Sequence, residues 1–241
     1  MKLLILGGTT EASRVAHALA GSGVDVITSL AGRTANAAVL PGAMRVGGFG
    51  GVEGLSDYLT AHSIDRVMDA THPFAARISA HAAQACARLG VPRLMLVRPA
   101  WQQQPGDDWV QVADMTEAAQ RVATLGRRAF LTVGIGEVAA FAHSPVWFLV
   151  RLIADQALPL ADYRVITGKG PFDAQAEQDL MRVYGIDLLV TKASGGAATY
   201  GKIAAARALG IKVLMVQRPV LPDGEQADSV DAAVAWATSP A

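Results

Sequence analysis

Leu3-Leu4-Ile5-Leu6-Gly7-Gly8-Thr9-Thr10-Glu11-Ala12 opens the chain. Four apolar residues run into two glycines, and the glycines run into an alanine-rich stretch. The segment reads as a strand over 3–6, a tight turn, and a helix over 11–20 that ends near Gly21 and Gly23. The same alternation then recurs. Strands are expected at 24–29, 44–46, 66–70 and 93–97, with helices at 54–62 and 75–89. This rhythm implies an α/β fold with a doubly wound parallel sheet. Residues 99–108 interrupt it with two prolines, three consecutive glutamines and two aspartates, the composition of a domain linker. Beyond them, strands are expected at 109–112, 129–133, 146–152, 164–167, 187–191 and 212–216. Helices are expected at 116–125, 137–142, 173–184, 200–209 and 228–237. Two domains follow, 1–100 and 101–241.

One internal similarity supports a duplication. Residues 66–99 align without a gap on 186–219, with eight identical positions clustered in the LG…LM…RP endings. Thr71-His72 falls on Thr191-Lys192, and Arg98-Pro99 on Arg218-Pro219. Two similar half-molecules facing each other across a cleft are the expected arrangement; shared βαβ composition is the alternative.

The 241 residues are 51% hydrophobic and 17% charged, with no net charge. That balance suits strands covered on both faces by helices. It offers nothing to bulk nucleic acid or to a membrane surface. Cys86 is the only cysteine, which excludes an intrachain disulfide, and its alanine-rich surroundings mark it as a small buried residue. The first apolar run is too short for a signal peptide, and no charge-free run of about 18 apolar residues exists. A cytoplasmic protein, monomeric or weakly dimeric, is expected.

Several strand ends carry chemistry. In Gly7-Gly8-Thr9-Thr10-Glu11 the glycines let a pyrophosphate approach the backbone where a helix N-terminus favours negative charge. The G-x-G-x-x-G spacing is not met, so an ordinary βα turn is the alternative. After the second strand, where a NAD site places an acid, stand Ser29, Arg33 and Thr34: two hydroxyls and a planar cation, which favour NADP over NAD. Gly48 lies in the glycine-rich run 47–51, a further close-approach or flexible loop. Thr71 and His72 end the fourth strand, where ligands bind in open parallel sheets; His72 is either a proton donor or carboxylate ligand, or a structural turn residue. Lys169-Gly170 and Lys192-Ala193-Ser194-Gly195-Gly196 follow strands of the second half and read as anion-binding turns, with solvated lysines as the alternative.

What is missing also narrows the field. No P-loop, Y-x-x-x-K pair, zinc-ligand spacing or G-x-S-x-G elbow is present, and no metal site is expected. The lack of an acid after the second strand also weakens a methyltransferase reading.

ILGGTTEA at the N-terminus, DATHPFA after the fourth strand, then GKGPF and KASGG, in that order, resemble the precorrin-6A reductase family of cobalamin biosynthesis. The resemblance spans residues 3–219. It implies two Rossmann-like domains with an interdomain cleft, NADPH bound by the first, and a tetrapyrrole substrate, precorrin-6A, reduced at one double bond. It implies a polycarboxylate ligand for the His72, Lys169 and Lys192 turns, with Arg98 and Arg218 as further candidates and His72 as the nearest acid. A reductase of another conjugated substrate and a non-catalytic tetrapyrrole- or nucleotide-binding protein are the competing functions.

Overall fold

The computed structural model describes residues 1–32 and 39–240. The first elements are β1 (Lys2–Leu6), α1 (Thr10–Ala18), β2 (Asp25–Leu30), β3 (Ala43–Val46), α2 (Gly51–Ala61), β4 (Arg66–Asp69), α3 (Ala76–Leu89) and β5 (Arg93–Leu96). Then come β6 (Trp109–Val112), α4 (Met115–Leu125), β7 (Arg128–Leu131), α5 (Ile135–Val138), β8 (Trp147–Leu152), β9 (Tyr163–Thr167), α6 (Ala174–Val183), β10 (Leu188–Lys192), α7 (Gly201–Leu209) and β11 (Lys212–Val216). β12 (Glu225–Ala227) and α8 (Val230–Thr238) end the chain.

Two parallel sheets result, ordered β12-β5-β4-β1-β2-β3 and β6-β11-β10-β7-β8-β9. In β1 the alternation of side chains divides the burial. Leu3 and Ile5 pack with Val15 and Ala16 of α1 and Ala233 and Ala237 of α8. Leu4 and Leu6 pack on the other face with Leu55 and Leu59 of α2 and Ala82 and Ala85 of α3. Both faces of the sheet are therefore covered, which is why its strands read as continuous apolar runs. Cys86 joins the second of these clusters, and burial pushes its thiol up to about 11.

The segments 66–99 and 186–219 occupy equivalent places. They form β4-α3-β5 and β10-α7-β11, next to β1 and β7 respectively. Gly90 and Gly210, aligned in sequence, both close their helices in the left-handed region, at φ +67° and +64°.

The expected second domain, 101–241, is corrected at its end. Residues 220–241 join 1–99 in one compact unit, and 100–219 form the other. β12 pairs in parallel with β5, and α8 packs on α1. β12 was not legible because Glu225-Gln226-Ala227 has no β-branched or aromatic residue and lies at a sheet edge. β6 holds the corresponding edge of the other sheet, beside β11. Each is followed by a capped helix: the Asp114 side chain accepts from Glu117 N, and Ser229 accepts from Ala232 N. The segment after the fifth strand of each half thus supplies the sixth strand of the other half's sheet.

Most of the expected linker also belongs to the second unit. Asp107, its side chain fully buried, holds Arg207 at 2.9 Å. Trp101 lies tilted against Tyr200, ring centroids 6.0 Å apart, and donates to the Gly196 carbonyl at 2.8 Å.

Arg66 fastens the returning segment. It is buried in β4, and its guanidinium donates to Trp236 O, to Ser239 Oγ at 3.0 Å and to Pro240 O at 3.1 Å. These acceptors sit where α8 ends and its last carbonyls lack helical partners. Replacing Arg66→Met should cost about 2–3 kcal/mol in urea unfolding, because the hydrogen bonds of a buried charged group to the end of α8 are lost. Hydrogen exchange should quicken first over residues 230–238; equal loss throughout the unit would contradict this latch role.

Candidate active site

In the first unit the turn after β1 is held by one hydroxyl. Thr9 Oγ1 accepts from Ala12 N at 3.1 Å, capping α1, and donates to Ala70 O at 2.7 Å, at the end of β4. The two glycines serve different needs. A Cβ on Gly7 would lie 3.1 Å from Thr28 Cγ2, so Gly7 permits close strand packing. Gly8 sits at φ +106° with nothing within 4 Å of where a Cβ would project. The open backbone and the capped N-terminus of α1 together suit an approaching phosphate.

Thr10 begins α1, and Glu11 in its first turn accepts from Arg98 Nη1 at 2.9 Å. At the neighbouring strand ends, Ser29 and Arg45 are partners in the β2–β3 register. Arg45 Nη1 donates to Ser29 Oγ at 2.8 Å and to Gly47 O at 3.0 Å; Nη2 donates to Gly48 O at 3.1 Å. The Phe49 ring packs on the guanidinium at 3.8 Å.

The turn after β4 hangs on Asp69, only 4% exposed. Its Oδ1 accepts from Thr71 Oγ1 at 2.7 Å and Thr71 N at 3.2 Å. The next residue, His72, accepts at Nδ1 from Phe74 N at 3.2 Å. In the neutral ring the proton therefore sits on Nε2.

The second unit gathers its own turns. Phe172, after the Lys169-Gly170 turn, bonds through its N–H to Ala198 O at 3.1 Å and lays its ring 3.9 Å from the Arg151 guanidinium. Gly201 lets α7 approach this turn, since a Cβ there would be 2.4 Å from Phe172 O. Lys192 pairs with Glu137 at 3.0 Å. Gly195 and Gly196 both have positive φ, +69° and +75°. Arg218 donates from Nε to Ala193 O and from Nη2 to Ser194 O, fixing the turn from behind.

Lys202, in the first turn of α7, is 6% exposed. Among the described residues its ammonium has no hydrogen bond or ion pair; the Trp101 ring is 5.8 Å away. Glu177, the acid nearby, is committed to Arg151 at 2.6 Å and 2.9 Å. Burial, followed by repulsion from Arg151, brings the Lys202 ammonium down to about 7, with Glu177 opposing and Lys192 adding to the fall.

The family model described as precorrin-6x reductase CbiJ/CobK matches residues 2–238. The chain belongs to that family. It is 48% identical to a precorrin-6A reductase of Rhodococcus erythropolis over 240 residues, covering 98% of this chain and 96% of the relative. A precorrin-6A reductase of Mycobacterium tuberculosis gives the same identity and coverage. A solved structure of CobK precorrin-6A reductase superposes with a TM-score of 0.92 at 40% identity, covering 98% of this chain and 95% of that one.

The residues expected of this family member fall into two groups. In the first unit, Gly7, Gly8, Thr9, Thr10, Glu11, Ser29, Gly48, Thr71 and His72 all lie at the C-terminal edge of one sheet. Arg33 and Thr34 lie outside the described residues. In the second unit, Gly170 lies against Ala198, just beyond the turn that carries Lys192, Ser194, Gly195 and Gly196. Lys169 is exposed, and among the described residues it makes no ion pair.

Three residues escaped the sequence reading. Arg45 sat inside an expected strand, and the signal was a lone arginine before four glycines. Glu137 sits in a Gly-x-Gly-Glu turn after β7, the counterpart of the Glu11 turn. Lys202 was hidden in a helix, where a lysine is ordinarily solvated.

Lys202 has a measurable consequence. Its native value lies below the 10.5 of the unfolded chain. Between about 7 and 10.5 the unfolded chain binds a proton that the native protein does not, so this group makes stability rise with pH across that window. Below it, the full cost of a buried charge is present. Urea unfolding at pH 7 and pH 9 should therefore show Lys202→Met more favourable, relative to the parent, at pH 7 than at pH 9. A constant difference would contradict the depressed lysine.

Proposed function

We propose that this protein reduces one double bond of the precorrin-6A macrocycle to give precorrin-6B, with NADPH as reductant. The near-full-length similarity to precorrin-6A reductases carries the substrate. The acid-free end of β2 beside the open Gly7-Gly8 turn supports the cofactor. NADPH supplies the hydride.

Gly7, Gly8 and the first amides of α1 suit the pyrophosphate, because the backbone is accessible and the helix end carries partial positive charge. The side chains of Thr9 and Glu11 have other duties: Thr9 holds the turn to Ala70, and Glu11 orients Arg98. Ser29, with Arg33 and Thr34, is assigned to the ribose phosphate, and Gly48 to close backbone approach. In the second unit Lys169, Gly170, Lys192, Ser194, Gly195 and Gly196 are assigned to carboxylates of the tetrapyrrole, with Thr71 completing the substrate contacts in the first. A ligand with many carboxylates calls for several such turns, and charge-assisted bonds to them fix its orientation.

His72 is assigned as the proton donor to the atom beside the reduced carbon. The proton on Nε2 is the one it can offer. Delivering it from a cationic ring means protonating Nδ1, which requires the Phe74 N–H bond to be given up. His72→Ala should lower kcat on the order of 100-fold and remove the basic limb of its pH profile. Full turnover across pH would contradict this role.

The function itself is tested by anaerobic incubation with precorrin-6A and either nicotinamide nucleotide. NADPH should be oxidised with one equivalent of macrocycle reduced, and NADH should be used at least tenfold less efficiently. Binding of both ligands without oxidation would instead make the chain a non-catalytic binding protein.

A further inference from the structure

We infer that Arg45, beside Ser29 and the assigned Arg33 and Thr34, makes the contact with the 2′-phosphate of the dinucleotide that decides the preference for NADPH over NADH. The inference rests on the reading that the first unit takes NADPH, and it assigns the discrimination to a residue outside the β1–α1 turn and the β2 end.

A guanidinium carries five N–H donors in a rigid fork. In Arg45 three are taken, both of those on Nη1 by Ser29 Oγ and Gly47 O, and one on Nη2 by Gly48 O. The two that remain, Nε–H and the second N–H of Nη2, lie on one edge of the fork. That edge matches two oxygens of a phosphate. The flat face is already occupied by Phe49 at 3.8 Å, with Tyr58 5.0 Å from the guanidinium carbon. Ring stacking and three acceptors hold the group in one orientation, so little side-chain entropy is lost when an anion arrives.

The charge balance supports the same conclusion. Among the described residues Arg45 pairs with no carboxylate; every acceptor it has is neutral. Arg98, Arg151 and Arg207 are each matched to an acid. A half-buried cation held only by carbonyls and a hydroxyl keeps its full charge for a ligand. Register puts it in the right place: Arg45 lies directly opposite Ser29, at the end of β2 where dinucleotide sheets bind the adenosine ribose. The bond to Ser29 Oγ also turns a lone pair of that oxygen toward the cation, leaving the hydroxyl proton to donate to the same phosphate.

The test is equilibrium binding of NADPH, NADH, 2′,5′-ADP and 5′-AMP to the full chain and to two variants, Arg45→Met and Arg45→Lys. The parent should bind NADPH and 2′,5′-ADP on the order of 100-fold more tightly than NADH and 5′-AMP, respectively, as a desolvated charged contact provides. Arg45→Met should erase that gap by weakening the 2′-phosphorylated pair alone. Arg45→Lys, which keeps the charge and loses the fork, should fall between. Equal weakening of all four ligands would make Arg45 only a clamp for the glycine loop and overturn the inference. An unchanged gap in both variants would also overturn it while leaving the NADPH reading intact. A parent with no preference for the 2′-phosphorylated ligands would sink the NADPH reading itself.

Discussion

Every strand pairing in both sheets is parallel, and the rest of the molecule depends on that constraint. Parallel neighbours all end on the same edge, so each sheet collects its βα turns along one side. There, glycine-bearing turns and helix N-termini meet, and the exposed amides of the helix ends favour anions. A chain with no net charge can thereby present concentrated positive potential at selected places. In the first unit that edge carries Gly7-Gly8, Arg45 and His72. In the second it carries the Lys169 turn and the paired glycines after Lys192.

A second constraint follows from how the sheets are completed. Neither half of the chain fills its own sheet. After β5 the chain leaves to add β6 and α4 beside β11; after β11 it returns to add β12 and α8 beside β5. Arg98-Pro99 and Arg218-Pro219 mark the two departures. Both arginines turn back on the sheet they leave: Arg98 to Glu11, Arg218 to the carbonyls of Ala193 and Ser194. The similarity visible in sequence covers β4-α3-β5 and β10-α7-β11; in the structure each half supplies five strands of one sheet and the sixth strand of the other.

Much of this was legible in sequence because buried parallel strands write unbroken apolar runs, and because glycines at left-handed positions punctuate them. Gly90 and Gly210 marked two helix ends, and the GGT, THP, GKGPF and KASGG stretches marked strand-end turns. The return of residues 220–241 was not legible. A three-residue edge strand of Glu, Gln and Ala carries no apolar period, and strand partners are set by packing that no local pattern records. In the site, the turns were found but their internal wiring was not. Glu11 reads as a cofactor contact, and its pairing with Arg98 carries no signal in the sequence. Arg45 reads as an ordinary strand residue until the β2–β3 register places it opposite Ser29. Lys202 reads as solvated until α7 is seen to bury its first turn.

We propose a division of labour, in which the turns of the first unit take the nicotinamide nucleotide and the turns of the second serve the carboxylated macrocycle. Hydrogen exchange of the intact protein with and without NADPH tests this most directly. Exchange should slow over residues 7–12 and 45–50, with residues 168–172 and 193–196 unaffected by the nucleotide alone. Protection confined to the latter segments, with 7–12 and 45–50 unchanged, would contradict it.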